Sequence, residues 1–107
     1  MKTLGGFIRK RRSELGLFGR EVVAAVRKAD GTPISIPYLV DLDHDRRKPS
    51  DPVLNQLATA LRLDADVLFF LEGRRAPDLR LGKVDIETLR DALRTLRRNL
   101  DVRGGAL

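Results

Sequence analysis

Apolar residues recur at spacings of three and four along almost the whole chain, and β-branched alternation never lasts long enough to suggest a sheet. That rhythm predicts an all-α protein. Leu4, Phe7, Ile8 and Leu15 form one stripe, which predicts a first helix ended by Gly16, with Arg9, Lys10, Arg11 and Arg12 clustered between its ends. A second helix is expected from about Gly19, with Val22, Val23 and Val26 facing inward. It should stop near the Asp30-Gly31 turn signal and Pro33. Ser35 offers an N-cap hydroxyl and Pro37 stands in a first turn, where its missing N–H is not needed. Together they predict a short third helix over residues 36–43, with Leu39 and Leu42 as a narrow apolar edge.

Ser50 and Pro52 repeat that start signal for a fourth helix, whose apolar face is Val53, Leu57, Ala58 and Leu61. Asp64 or Asp66 can begin a fifth, with Val67, Leu68, Leu71 and the Phe69-Phe70 pair as bulk. Two glycines, a proline and three arginines between Glu72 and Gly82 mark a linker. Beyond it, Ile86, Leu89, Leu93, Leu96 and Leu100 are spaced by three, four, three and four residues, an a/d seam on a helix expected from about Asp85 to Asp101. The organisation expected is therefore a five-helix domain over residues 1–72, a basic linker over 73–83, and a dimerisation helix with its tail over 84–107. A seam so narrow calls for a second helix, which predicts a homodimer; the linker also permits the helix to fold back on its own domain.

A chain of 107 residues suits one modest core. Its 21 Lys and Arg against 15 Asp and Glu leave a formal charge of +6, so polyanions are the partners to expect. No apolar run is long enough for a membrane span, and the first residues do not resemble a signal peptide, which predicts a cytoplasmic protein without membrane partners. The absence of cysteine removes disulfides and thiolate metal sites, and His44 is the only histidine. No nucleophile and base pair can be assembled, so neither catalysis nor a cofactor is expected. Asp41, Asp43, His44 and Asp45 are metal-ligand residue types, yet carboxylates at i and i+2 of a helix do not share a face. That run reads as a solvated helix end, with no metal expected.

Five short helices, the third carrying little apolar surface, form the plan of a helix-turn-helix domain. The segments LGGFIRKRRSELGL, ISIPYLVDLDHDRRKPS and DPVLNQLATALRLDADVLF occur in that order, and they resemble three signature blocks of the XRE family of lambda-repressor and Cro-like regulators. The resemblance implies a lambda-repressor-like DNA-binding domain with an appended C-terminal amphipathic helix, in which residues 36–43 enter the major groove of double-stranded DNA. It implies that Ser35, Ile36, Pro37 and Asp41 face bases. Tyr38 stands closer to the sugar-phosphate wall, with core packing an equal reading for it. Arg9 and Arg12 would lie near phosphate, and the charge pattern adds Arg20 at a helix start and Arg46, Arg47 and Lys48 after the recognition segment.

Ile36 and Pro37 can touch thymine methyl groups, while Asp41 could accept from a cytosine amino group. The function so implied is a nucleoid-located transcriptional repressor that binds an inverted repeat as a dimer. The alternatives are an antitoxin-type regulator with a small protein partner and an architectural DNA binder. Two features depart from the family pattern. Phe18-Gly19 stands where relatives often have Ser-Gln, removing a capping hydroxyl and a phosphate-binding amide. The loop before Ser35 is also longer than the family's compact turn, as in nucleoid-associated members, so either helix two extends or the loop reaches DNA.

Overall fold

A computed structural model describes residues 3–79 and 85–104, the last four of these as backbone only. Residues 80–83 of the expected linker, Val84 at the start of the expected dimerisation segment, and the tail beyond Gly104 lie outside the described residues. Among the described residues six helices follow one another: α1 (Leu4–Leu15), α2 (Gly19–Ala25), α3 (Ile36–Asp43), α4 (Asp51–Ala60), α5 (Ala65–Leu71) and α6 (Ile86–Gly104). Among the described residues the only β pairing is an isolated antiparallel bridge between Arg27 and Pro33. The chain divides into two compact units, Met1–Pro77 and Asp78–Leu107.

Local chemistry starts most of the helices. Thr3 Oγ1 accepts from Gly6 N at 3.2 Å to open α1, Ser35 Oγ accepts from Tyr38 N at 3.1 Å to open α3, and Ser50 Oγ accepts from Val53 N at 3.4 Å to open α4. Asp64 Oδ1 accepts from Asp66 N at 3.0 Å, so of the two candidate starts for α5 it is the earlier aspartate that caps. Gly16 ends α1 at φ +68°, a left-handed conformation in which a side chain would be strained. Phe18 has no hydroxyl with which to cap α2. Its own N–H instead donates to Glu21 Oε1 at 3.1 Å, which is the half of a capping box that needs no N-cap side chain.

α2 ends at Ala25, well before the expected stop. Val26 does face inward, fully buried, but in extended backbone rather than on a helix. Ile34 N donates to Val26 O at 3.1 Å and Lys28 N to Thr32 O at 2.8 Å, closing residues 26–34 into a small hairpin whose turn Gly31 makes at φ +88°. Asp30 Oδ1 accepts from both the N–H and the hydroxyl of Thr32. The hairpin hides Val26 and Ile34 together, which continued helix could not do, and β-branched residues lose little in extended backbone. The lengthened loop is thus this hairpin and not a longer α2.

The core of the first unit is almost wholly aliphatic. Ile8 of α1, Val22 of α2, Leu39 and Leu42 of α3, Val53, Leu54 and Leu57 of α4, and Leu61 are buried around Leu68 and Phe69 of α5. Phe69 and Phe70 were expected to share this role with Val67, but Phe70 is 60% exposed and Val67 43% exposed. Neighbouring helix residues point about 100° apart, so a helix as short as α5 offers one face to the core. Residues just after α5 stay with the first unit: Ala76 is buried, and Arg74 pairs with Asp51 at 3.2 Å and Glu72 at 3.4 Å.

α1 and α3 touch at the backbone. A Cβ placed on Gly5 would lie 2.5 Å from the carbonyl oxygens of both Leu42 and Asp43, so only glycine allows this approach. Arg11 of the basic cluster donates from Nε to Leu61 O at 2.9 Å and from Nη2 to Arg62 O at 3.3 Å, satisfying carbonyls that α4 leaves open at its end.

In the second unit, Asp85 opens α6 by accepting from Thr88 N at 2.9 Å and from the Thr88 hydroxyl at 3.1 Å. These bonds hold the Asp85 carboxyl below its ordinary pKa. The a/d seam stands open: Ile86 is 76% exposed, while Leu93, Leu96 and Leu100 are exposed and Leu89 half-buried. Among the described residues, no helix is long and apolar enough to cross a membrane.

Candidate nucleic-acid interface

The eight residues of α3 divide cleanly between core and solvent. At about 100° per residue, Leu39, Leu42 and Asp43 occupy one side, and all three are buried. Ile36, Val40, Pro37 and Asp41 fall on the opposite arc of about 140°, with the C-cap residue His44 in line with them. Ile36 is 46% and Val40 39% exposed, Pro37 is exposed and Asp41 is half-buried. Tyr38 sits at the boundary, half-buried against the core, with the Arg47 guanidinium 4.5 Å from its ring centroid.

Each acidic residue of this region has been drawn away from its neighbours. Asp41 Oδ1 accepts from Arg46 Nε at 3.1 Å. Asp43 turns inward, 5% exposed, and pairs with Arg12. Asp45, at φ +57°, turns back to α1, where its Oδ1 accepts from Gly5 N at 2.8 Å. The Thr3 hydroxyl and the Gly5 N–H, helped by the charge of Arg9, hold the Asp45 carboxyl below its ordinary pKa.

The expected cations are placed as follows. Arg46, Arg47 and Lys48 are exposed in the loop after α3 and flank its solvent arc through the Asp41 and Tyr38 contacts. Arg20 is exposed on the first turn of α2, with its guanidinium 5.0 Å from the centroid of the Phe18 ring. A Cβ on Gly19 would come within 3.6 Å of Ile36 Cδ1 and 3.8 Å of Arg12 Nη1, so the start of α2 adjoins the start of α3. Arg9 is exposed on α1. Arg12 differs from the others, since its side chain is mostly covered and committed to Asp43. Ser35 is exposed, and its Oγ is engaged in capping.

Three residues of this surface, Val40, His44 and Phe18, were not assigned to it from the sequence. Val40 and His44 follow Ile36 by four and eight positions, so counting helix turns outward from Ile36 finds them. His44 Nδ1 donates to Val40 O at 2.9 Å, leaving Nε2 on the exposed side. Phe18, 63% exposed beside Arg20, carries no sequence signal beyond its departure from a capping residue.

No protein-family profile matches the chain. Two proteins of Mycobacterium tuberculosis, strains CDC 1551 and H37Rv, each named an uncharacterized HTH-type transcriptional regulator, are 34% identical to it over 91 residues. The match covers 85% of this chain and 56% of each relative, so the chain spans little more than half their length. Among solved structures, a chain of the SinR protein/SinI protein complex superposes with a TM-score of 0.50 at 20% identity, covering 95% of both chains. That likeness places the all-α fold in the lambda-repressor-like class.

Proposed function

We propose that the chain, which is similar to proteins named HTH-type transcriptional regulators and resembles the XRE family, binds double-stranded DNA as a transcriptional regulator, inserting α3 into the major groove. The observation that carries this reading is the division of α3. Three of its residues anchor it in the core, while Ile36, Pro37, Val40 and Asp41 are left for a partner and bordered by Arg20, Arg46, Arg47 and Lys48.

The regulator acts as a repressor on an inverted repeat, in the cytoplasm with the nucleoid, and the second copy binds through α6. Ile86, Leu93, Leu96 and Leu100 are exposed along one line of a 19-residue helix, which is the pattern a second identical helix covers. Two-fold pairing would set two copies of α3 about 34 Å apart, one DNA turn. The test is selection of bound duplexes from a random library, followed by titration against salt. A recovered palindrome bound roughly a thousandfold more tightly than random DNA supports a regulator. Uniform binding of all duplexes would make it an architectural protein, and no binding at low salt would overturn the reading.

A further inference from the structure

Resting on the reading of α3 as the groove-entering helix, we propose that its exposed face recognises the C5-methyl group of pyrimidines. It selects thymine, and 5-methylcytosine where that base occurs, by methyl contact and not by hydrogen bonds to base edges. Ile36, Val40 and Pro37 lie at about 0°, 40° and 100° around the helix, so apolar side chains take most of the arc and Asp41 its far edge.

Each polar group beside these side chains has one bond within the protein already, which leaves only Asp41 Oδ2, the Ser35 hydroxyl proton and His44 Nε2 for water or DNA. Asp41 is neutralised by Arg46, Ser35 Oγ accepts the α3 cap bond, and His44 Nδ1 is spent on Val40 O. The major groove offers one apolar feature, the pyrimidine C5-methyl. Pressing aliphatic carbon against a guanine O6 or a cytosine amino group would strip water from a polar edge and return no hydrogen bond, so the same surface also disfavours unmethylated C·G pairs. Asp41, whose Oδ1 is held by Arg46, is then secondary to the methyl contacts in reading the groove.

Deoxyuridine in place of thymidine removes the methyl and leaves every hydrogen-bonding group in position. The full-length protein is titrated with a duplex it has selected, then with copies in which single thymines become deoxyuridine. One or two positions in each half-site should weaken binding about fourfold, the effect of losing one buried methyl. Ile36→Ala and Val40→Ala should each erase the sensitivity at one of those positions. At a sensitive position, exchange of T·A for 5-methylcytosine·G and for C·G separates the two sources. A gain on methylating cytosine means that either pyrimidine serves, and no gain confines the contact to thymine. The wild-type series stands even if a variant fails to fold. If every deoxyuridine copy binds within about twofold of the parent while the parent duplex still binds in a salt-dependent way, methyl recognition is wrong and DNA binding survives. If no duplex is bound at all, both are wrong.

Discussion

Arg12 and Asp43 meet where α1 crosses α3, with Nη2 2.6 Å from Oδ2 and side-chain exposures of 17% and 7%. The second oxygen of Asp43, Oδ1, is buried with no hydrogen-bond partner. A cation that the family resemblance sets near phosphate therefore lies inside the protein's own packing, where it compensates the one acid buried among the described residues. Its first role is to hold the last turn of α3 against α1.

Removing one member of a covered ion pair strands the other without solvent. Arg12→Met, which keeps most of the volume, is expected to cost about 3 kcal/mol, read as a lower urea midpoint at unchanged slope. A loss under about 1 kcal/mol would mean that water reaches Asp43 and that the pair is worth no more than a surface bridge.

Gly5→Ala should be as damaging although it adds only a methyl group. The new Cβ would meet two α3 carbonyl oxygens at 2.5 Å, and backbone cannot move aside as a side chain can. A cost of about 2–4 kcal/mol is expected from thermal or urea unfolding. Gly19→Ala is the control, since its Cβ would meet only side-chain atoms at ordinary contact distances of 3.5 Å or more.

Asp45 sets a pH dependence. Its folded pKa is lowered, chiefly by the Thr3 hydroxyl and then by the Gly5 N–H, so the stabilisation is complete above the ordinary carboxylate value of 3.8. It is lost as pH falls below that value and through the folded one. Asp45→Asn tolerates the left-handed backbone but removes the charge, and should flatten the acid limb of the stability curve below about pH 4 while costing about 1 kcal/mol at neutral pH. Asp30 and Asp85 are lowered in the same way by Thr32 and Thr88, so the limb will shrink and not vanish. An unchanged limb would remove Asp45 from the account.

Arg47→Ala should weaken binding to every duplex alike and lower the slope of log affinity against log salt by about one unit. Arg46→Ala should do the same and also expose the unpaired Asp41 charge to DNA, so it should be the more severe of the two. Equal slopes for wild type and both variants in a fluorescence-anisotropy salt series would remove this loop from the phosphate contacts.

Leu93→Asn places an amide in the middle of the α6 seam. The variant should be a folded monomer that loses most of its affinity for an inverted repeat while keeping weak binding to one half-site. Light scattering at micromolar concentration checks it; a monomeric wild type, or a dimeric variant, would dismiss the seam as the interface.

Helix starts were legible in the sequence because they are settled within four residues. Ser35, Ser50 and Asp64 each bond a backbone N–H two or three positions on, whatever surrounds them, and Pro37 and Pro52 stand where their missing N–H costs nothing. The inward faces of α1, α3 and α4 were equally legible, since a period of 3.6 puts Leu4 with Ile8, Leu39 with Leu42, and Val53 with Leu57. So was the apolar line of α6, since spacings of three and four put Ile86, Leu89, Leu93, Leu96 and Leu100 on one face.

What the tertiary structure alone decided are the points where distant residues compete. Val26 could continue a helix or pair with Ile34, and pairing wins because it buries both. Phe69 and Phe70 are chemically the same, and only the direction from which α4 meets α5 chooses between them. Arg9 and Arg12 look alike in sequence, yet one is in solvent and the other faces Asp43, a partner 31 residues away. Local spacing tells which residues share a face, but what that face meets depends on contacts that no short window contains.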